Sequence, residues 1–263
     1  MHITSMENAF SLSGKTAIVT GGNRGIGLGI TTALAHHGAN VAILCRNEAS
    51  ANDVIAELSG KYSGKFKHFR CDITNFDECK TAVQDAIIEF GTINILVNNA
   101  GAGFGGELLN MDEDLTDWFN CFNLDLHGAV RMTYLVGKHM RDGGNGGRII
   151  NITSNAGAIV NKPFPLTSYS CAKASLNQLT KCLAHEMAKH DIRVNAIAPG
   201  YTFSDMSKNM GDEGQKMLTD KIPIGRFGEA IEIGALAVYL ASDASDVMTG
   251  VVLTADGGYS LAM

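Results

Sequence analysis

Tyr169 and Lys173 stand four residues apart in the helical stretch Tyr-Ser-Cys-Ala-Lys, so both side chains share one helix face. A phenol, with an ordinary pKa of about 10, exchanges protons poorly near neutrality. An ammonium one turn away favours the phenolate and moves the group towards the range useful for acid–base work. Ser154 ends the run Asn151-Ile152-Thr153-Ser154 and offers a hydroxyl that can donate to an oxygen gaining negative charge. A lone Tyr-x-x-x-Lys is common on exposed helices, so the elements that would bring these groups together decide its meaning.

Those elements alternate. Short, β-branched, nearly continuous apolar runs predict strands at Thr16–Thr20, Val41–Leu44, Phe66–Cys71, Ile93–Val97, Arg148–Ile152, Arg193–Ala198 and Val251–Thr254. Helix-period stretches fall between them at Gly25–His37, Ala49–Leu58, Phe76–Phe90, Leu115–Met140, Tyr169–His190 and Ile231–Ala241. Strand–helix alternation with right-handed crossovers predicts an α/β fold: one doubly wound, Rossmann-type parallel sheet of seven strands with helices on both faces. No linker divides the chain, so residues 1–263 read as one dinucleotide-binding catalytic domain with an N-terminal extension over residues 1–12. Residues 202–225 interrupt the alternation and read as a substrate lid or an irregular connection.

The first predicted strand runs into Gly21-Gly22-Asn23-Arg24-Gly25-Ile26-Gly27 and then a helix. Glycines there let backbone N–H groups close on a pyrophosphate, and the helix N-terminus adds the positive end of its dipole. The spacing G-x-x-x-G-x-G is one residue longer than the common dinucleotide fingerprint, but its strand–turn–helix context is the right one. Where the second strand ends, an acid would hold an adenosine ribose 2′-hydroxyl; Cys45 stands there instead, followed by Arg46. With Arg24, two guanidinium groups and no carboxylate suit a 2′-phosphate, so NADP(H) is expected over NAD(H). Asp72 is expected near the adenine amino group or as a helix cap. Asn99, Ala100 and Gly101 allow either a turn or close approach to the cofactor.

Composition narrows the class. With 45% hydrophobic and 18% charged residues the chain is globular, and a net charge of −6 without a Lys/Arg cluster speaks against nucleic acid or an anionic membrane as partner. The N-terminus lacks the basic and apolar regions of a signal peptide, and no stretch has the apolar length of a membrane span. Six cysteines without metal-ligand spacing read as buried free thiols, which suits a reducing, cytoplasmic location and predicts no metal site.

The pieces T-G-G-N-R-G-I-G, C-D-I-T, N-N-A-G, I-N-I-T-S, Y-S-C-A-K, R-V-N-A-I-A-P-G and A-D-G-G-Y, in this order from Gly14 to Gly258, resemble the short-chain dehydrogenase/reductase family. The resemblance implies that Ser154, Tyr169 and Lys173 are the catalytic set and that Tyr169 and Lys173 also touch the cofactor. It also implies cofactor contacts from Ile73, Pro199, Gly200, Thr202 and Ser204, with Ser204 replacing the family's usual Thr against the carboxamide. One residue departs from the pattern. Asp125, in Asp-Leu-His-Gly, stands where many members carry an Asn that helps hold a proton-relay water. That Asn acts largely through its main-chain carbonyl, so Asp125 joins the candidate catalytic residues, and its carboxylate can also pair with Lys173. Asp125→Asn is expected to keep kcat within about a hundredfold, or ~2.7 kcal/mol.

The implied activity is NADP(H)-dependent interconversion of a ketone and a secondary alcohol. Ile159-Val160-Asn161-Lys162-Pro163 and the fifteen-residue step from Ser154 to Tyr169 resemble members acting on ketoses, polyols and sugar acids, such as sorbose or xylulose reductases, mannitol dehydrogenases and gluconate 5-dehydrogenases. A 3-oxoacyl-thioester reductase is the alternative. A dehydrogenase of steroids or other bulky alcohols is another, for which Met206, Met210 and Met217 would form an apolar lid. A regulatory NADP-binding protein without turnover is the non-enzymatic reading, against which the intact catalytic set stands. The resemblance also implies a homotetramer, with Leu115–Met140 and Tyr169–His190 pairing between subunits and Tyr259–Met263 near a second interface.

Overall fold

The computed structural model describes residues 6, 8–103, 106–160, 166–203 and 211–261. Seven strands, β1 (Thr16–Thr20), β2 (Asn40–Cys45), β3 (Phe66–Arg70), β4 (Ile95–Asn98), β5 (Gly147–Ile152), β6 (Ile192–Pro199) and β7 (Val252–Ala255), form one sheet in the order β3-β2-β1-β4-β5-β6-β7. Every pair is parallel. Among the described residues the α-helices are α1 (Gly25–His36), α2 (Glu48–Lys61), α3 (Phe76–Phe90), α4 (Thr116–Phe122), α5 (Gly128–Gly143), α6 (Thr167–Met187), α7 (Gly211–Thr219) and α8 (Ala230–Ala241).

Side chains alternate between the sheet faces. Ala17, Val19, Val41 and Ile43 join a core with Leu34 of α1, Val54 of α2 and Ile233 of α8. Ile18, Ala42 and Leu44 join the opposite core with Val83 of α3, Val136 of α5 and Ala184 of α6. Burial on both faces is why the central strands β1, β2, β4, β5 and β6 read as largely apolar runs, whereas β3 alternates buried and exposed positions. The chain proceeds outward from β1 in both directions, so the carboxyl ends of β1 and β4 bound the crevice where such sheets bind ligands.

Three expectations need correction. The stretch Leu115–Met140 is not one regular helix: α4 passes into a five-residue π-helical segment, Asn123–His127, before α5 begins. Leu115 itself lies outside the helix with φ 52°. A π turn re-aims the residues it contains, and here it turns Asp125 into the interior. Second, only Cys45, Cys71, Cys79 and Cys121 are buried thiols; Cys171 and Cys182 lie on the exposed side of α6. Third, Asp72 does not cap α3. Asn75 does, accepting from the N–H groups of Asp77 and Glu78.

The described part of residues 202–225 carries α7. Leu218 and Ile222 pack with Phe227 and Tyr259 in a third small core, against which Ile159 and Tyr201 rest. Tyr259 is thereby buried within its own chain. Among the described residues no helix is long and apolar enough to cross a membrane.

Candidate active site

The glycine turn is braced from β4. Thr20 Oγ1 accepts the N–H groups of Asn99 and Ala100, both at 3.0 Å, and donates to the Val97 carbonyl at 3.3 Å. The Asn99 amide donates to the carbonyls of Thr20 at 2.9 Å and Gly21 at 3.3 Å. Gly21 has φ +64°, in the left-handed region. A Cβ added to Gly27 would lie 2.1 Å from the Gly21 carbonyl oxygen and 2.5 Å from the Asn99 amide nitrogen, so the turn closes directly onto the first turn of α1. Arg24 occupies the N-cap position of α1 without capping it through its side chain, and the first helical turn contains no acid. The N-terminal N–H groups thus meet no side-chain cap, which fits an anionic ligand.

The β2 end carries the charge expected of a phosphate site. Burial pushes the Cys45 thiol up, against the Asn47 backbone and the nearby positive charge of Arg24. Arg46 is 73% exposed, with Nη1 3.6 Å from Asp72 Oδ2. Asp72 Oδ1 accepts from the Thr74 N–H at 2.9 Å and its hydroxyl at 2.7 Å. Burial opposes its charged form, but these bonds and Arg46 outweigh it and hold the carboxyl below the usual range. Asn23 donates to Ser50 Oγ at 2.6 Å, tying the turn to α2.

At the other end, α6 carries Tyr169 and Lys173 on one face, with the ammonium 5.5 Å from the phenol ring centre. Lys173 Nζ donates to the Ile152 carbonyl at the end of β5, at 3.1 Å. It also lies 3.1 Å from Asp125 Oδ1, as an ion pair rather than an aligned hydrogen bond. The other carboxylate oxygen of Asp125 accepts from the Ala102 N–H at 3.4 Å. Burial pushes the Asp125 carboxyl up, and Lys173 pulls it part of the way back. Burial alone would lower Lys173; the charges of Tyr169 and Asp125 outweigh it and hold the ammonium above the ordinary lysine value. Gly101 makes room for this pair, since a Cβ there would lie 2.5 Å from Asp125 Oδ1. Ser154 Oγ accepts from the Ala156 N–H at 3.1 Å, an arrangement that leaves its proton as a donor.

One cleft of about 1200 Å³ joins both ends. It is lined by Gly21, Asn23, Arg24, Gly25, Ile26, Gly27, Arg46, Asp72, Ile73, Asn99, Ala100 and Gly101 and, further along, by Asp125, Ser154, Tyr169, Lys173, Pro199, Gly200 and Thr202. Residues 21–260 match the family model described as enoyl-(acyl carrier protein) reductase. The crystal structure of a short-chain type dehydrogenase/reductase from Mycobacterium marinum has a TM-score of 0.92 and 36% identity, covering 97% of this chain and 99% of that one. The chain belongs to the short-chain dehydrogenase/reductase family. As a member it is an oxidoreductase of CH–OH groups. The NADP-dependent mannitol dehydrogenase of Alternaria alternata is 37% identical over 259 residues, 97% of this chain and 96% of the relative. The 3-oxoacyl-[acyl-carrier-protein] reductase FabG of Chlamydia muridarum (strain MoPn / Nigg) is also 37% identical, over 247 residues, 94% of this chain and 98% of the relative.

Ser204, Asn161, Met206 and Met210 lie outside the described residues. Asn123, an amide two residues before Asp125, points elsewhere: its side-chain oxygen accepts from Arg131 Nη2 at 2.7 Å. Sequence reasoning missed two supports of the site. Thr20 ties the glycine turn to β4, and Asp256, just after β7, accepts from the buried Asn155 at 3.3 Å and packs against Gly200. Asn155 follows β5 and Asp256 follows β7, so the two are distant in sequence and meet through the β5–β6 and β6–β7 pairings. No local signal marks that contact.

Proposed function

We propose that this enzyme interconverts a ketose and a polyol, or a related sugar-acid carbonyl and alcohol, with NADP(H). The observation that carries the reading is the opening of Ser154, Tyr169 and Lys173 into the same cleft as the glycine turn. The glycine cradle, the uncapped α1 terminus and the guanidinium groups of Arg24 and Arg46 fit a phosphorylated dinucleotide. When bound, NADP(H) supplies or accepts hydride at the substrate carbon. Ser154 and Tyr169 hydrogen-bond the substrate oxygen. In reduction Tyr169 gives its phenolic proton to that oxygen, and in oxidation the phenolate takes it back. Lys173 holds positive charge beside the phenol, donates to the Ile152 carbonyl and faces Asp125 as an ion pair. Residues 202–225 serve as the substrate lid.

The similarity to an NADP-dependent mannitol dehydrogenase supports both the cofactor and the polyol class. The equally similar acyl-carrier-protein reductase favours a second reading, reduction of a 3-oxoacyl thioester. NADPH oxidation measured against D-fructose, a keto-gluconate, acetoacetyl thioesters and a ketosteroid separates them. The ketose or keto-acid is expected to show the highest kcat/KM; exclusive use of the thioester overturns the sugar assignment. Six unpaired cysteines support a cytoplasmic location. The exposed Phe119, Val130 and Tyr134 along α4 and α5 supply an apolar face for a homotetramer, which a solution mass measurement tests.

A further inference from the structure

We propose that Asp125 is a positioning residue that acts through Lys173 on Tyr169: its carboxylate offsets the ammonium charge, favours the phenol over the phenolate and biases the enzyme towards carbonyl reduction. The inference rests on Tyr169 being the acid/base. An ammonium alone beside a phenol favours the phenolate, the form needed to oxidise an alcohol. Here a carboxylate oxygen lies 3.1 Å from that ammonium, and both side chains are almost completely buried, so solvent screens neither charge. The phenol therefore faces a buried ion pair instead of a lone cation.

The geometry is built for this pairing. The π turn directs Asp125 inward between α4 and α5, and the missing side chain of Gly101 leaves the space its Oδ1 fills. The groups with charge or titration that face Lys173 among the described residues are Asp125 from the π turn, Tyr169 from its own helix and Cys121 from α4. Burial pushes the Cys121 thiol up to about 11, so near neutrality it is uncharged. The Ile152 carbonyl and Ala102 N–H complete the surroundings as neutral dipoles. Asp125 is thus the one carboxylate among the described residues facing Lys173, and an amide in its place would remove the offset while keeping shape and an acceptor for Ala102.

The test compares the wild-type chain with Asp125→Asn and, as a second neutral replacement, Asp125→Ser, each checked for a cooperative thermal melt. The first readout needs no cofactor. Tyrosinate absorbance is titrated in the apoprotein, and the same titration with Tyr169→Phe in each background is subtracted, isolating Tyr169 from the other tyrosines. Removing a unit charge within about 10 Å, in a medium of effective dielectric about 20, is expected to lower the Tyr169 midpoint by about one pH unit. The second readout is kcat against pH for alcohol oxidation, whose rising limb is expected to move down by the same amount while turnover persists. An unchanged or higher apoprotein midpoint in both folded variants means the buried carboxyl carries no effective charge, and overturns the proposal. If the midpoint falls but Tyr169→Phe still turns over at the wild-type rate, the field exerted by Asp125 stands and the catalytic assignment of Tyr169 fails.

Discussion

Replacing Gly27 by alanine tests whether the glycine turn is a close-packed cradle or an ordinary loop. The new Cβ would lie 2.1 Å from the Gly21 carbonyl oxygen, more than 1 Å inside ordinary van der Waals contact. That neighbour is backbone, held through Asn99, so it cannot swing aside as a flexible side chain would. Overpacking of this kind costs about 1–3 kcal/mol. Alanine regains about 1 kcal/mol of helix propensity, leaving a net loss of up to about 2 kcal/mol. For a chain of this size that is a fall in Tm of up to about 8 °C. The turn must open to admit the methyl, and NADPH affinity measured by fluorescence titration is expected to weaken at least about tenfold, or ~1.4 kcal/mol. Gly60, exposed near the end of α2 with no atom within 4 Å of its added Cβ, is the matched control. Gly60→Ala is expected to raise Tm slightly, by about 0.5–1 kcal/mol of added stability, with NADPH binding unchanged. If Gly27→Ala melts at or above the wild-type temperature and binds NADPH normally, the close-packing argument is refuted.

Cofactor choice follows the two guanidinium groups. Arg46 is 73% exposed, which places its worth to a 2′-phosphate near the low end of the charge-assisted range, about 1.5 kcal/mol. Arg24→Ala with Arg46→Ala is therefore expected to cut the kcat/KM preference for NADPH over NADH about a hundredfold through NADPH alone; an unchanged ratio places the phosphate elsewhere. Asp256 gives a pH-dependent outcome. Burial opposes its charge, but bonds from Ser260, Asn155 and Gly258 outweigh it and lower its pKa, so its contribution is complete above the unfolded value of about 3.9 and is lost as pH falls through the folded one. Hydrogen exchange at the amides of Gly258 and Ser260, which donate to Asp256 at 3.0 and 2.9 Å, is expected to lose protection below about pH 4 in the wild type. In Asp256→Asn that acid-dependent step is expected to vanish.

The central strands β1, β2, β4, β5 and β6 were legible because they are buried on both faces and therefore spelled largely by apolar residues, whereas β3 alternates buried and exposed positions and β7 is only partly buried. Strand ends were less so: Ile93 is buried like a strand residue, yet β4 begins at Ile95. The π turn was invisible because its five residues keep a helical composition and only backbone hydrogen bonding distinguishes them. Tyr169 and Lys173 could be paired from their spacing, since a helix fixes which side chains share a face. The pairing of Asp125 with Lys173 was expected from the family resemblance and is present at 3.1 Å, but spacing alone could not give it because it needs the crossing of three elements. The exposed Cys171 and Cys182 escaped notice because cysteine is so often buried that its type outweighed the polar face on which these two lie.

Tyr169→Phe tests the account most directly, because it removes one oxygen and leaves the cleft's shape intact. Stopped-flow measurement of NADPH binding and single-turnover reduction of the best ketone should show near-normal cofactor affinity with a loss of turnover of at least about 10³-fold, or ~4 kcal/mol. Turnover close to that of the wild type would contradict the assignment of the proton-transfer step to this phenol.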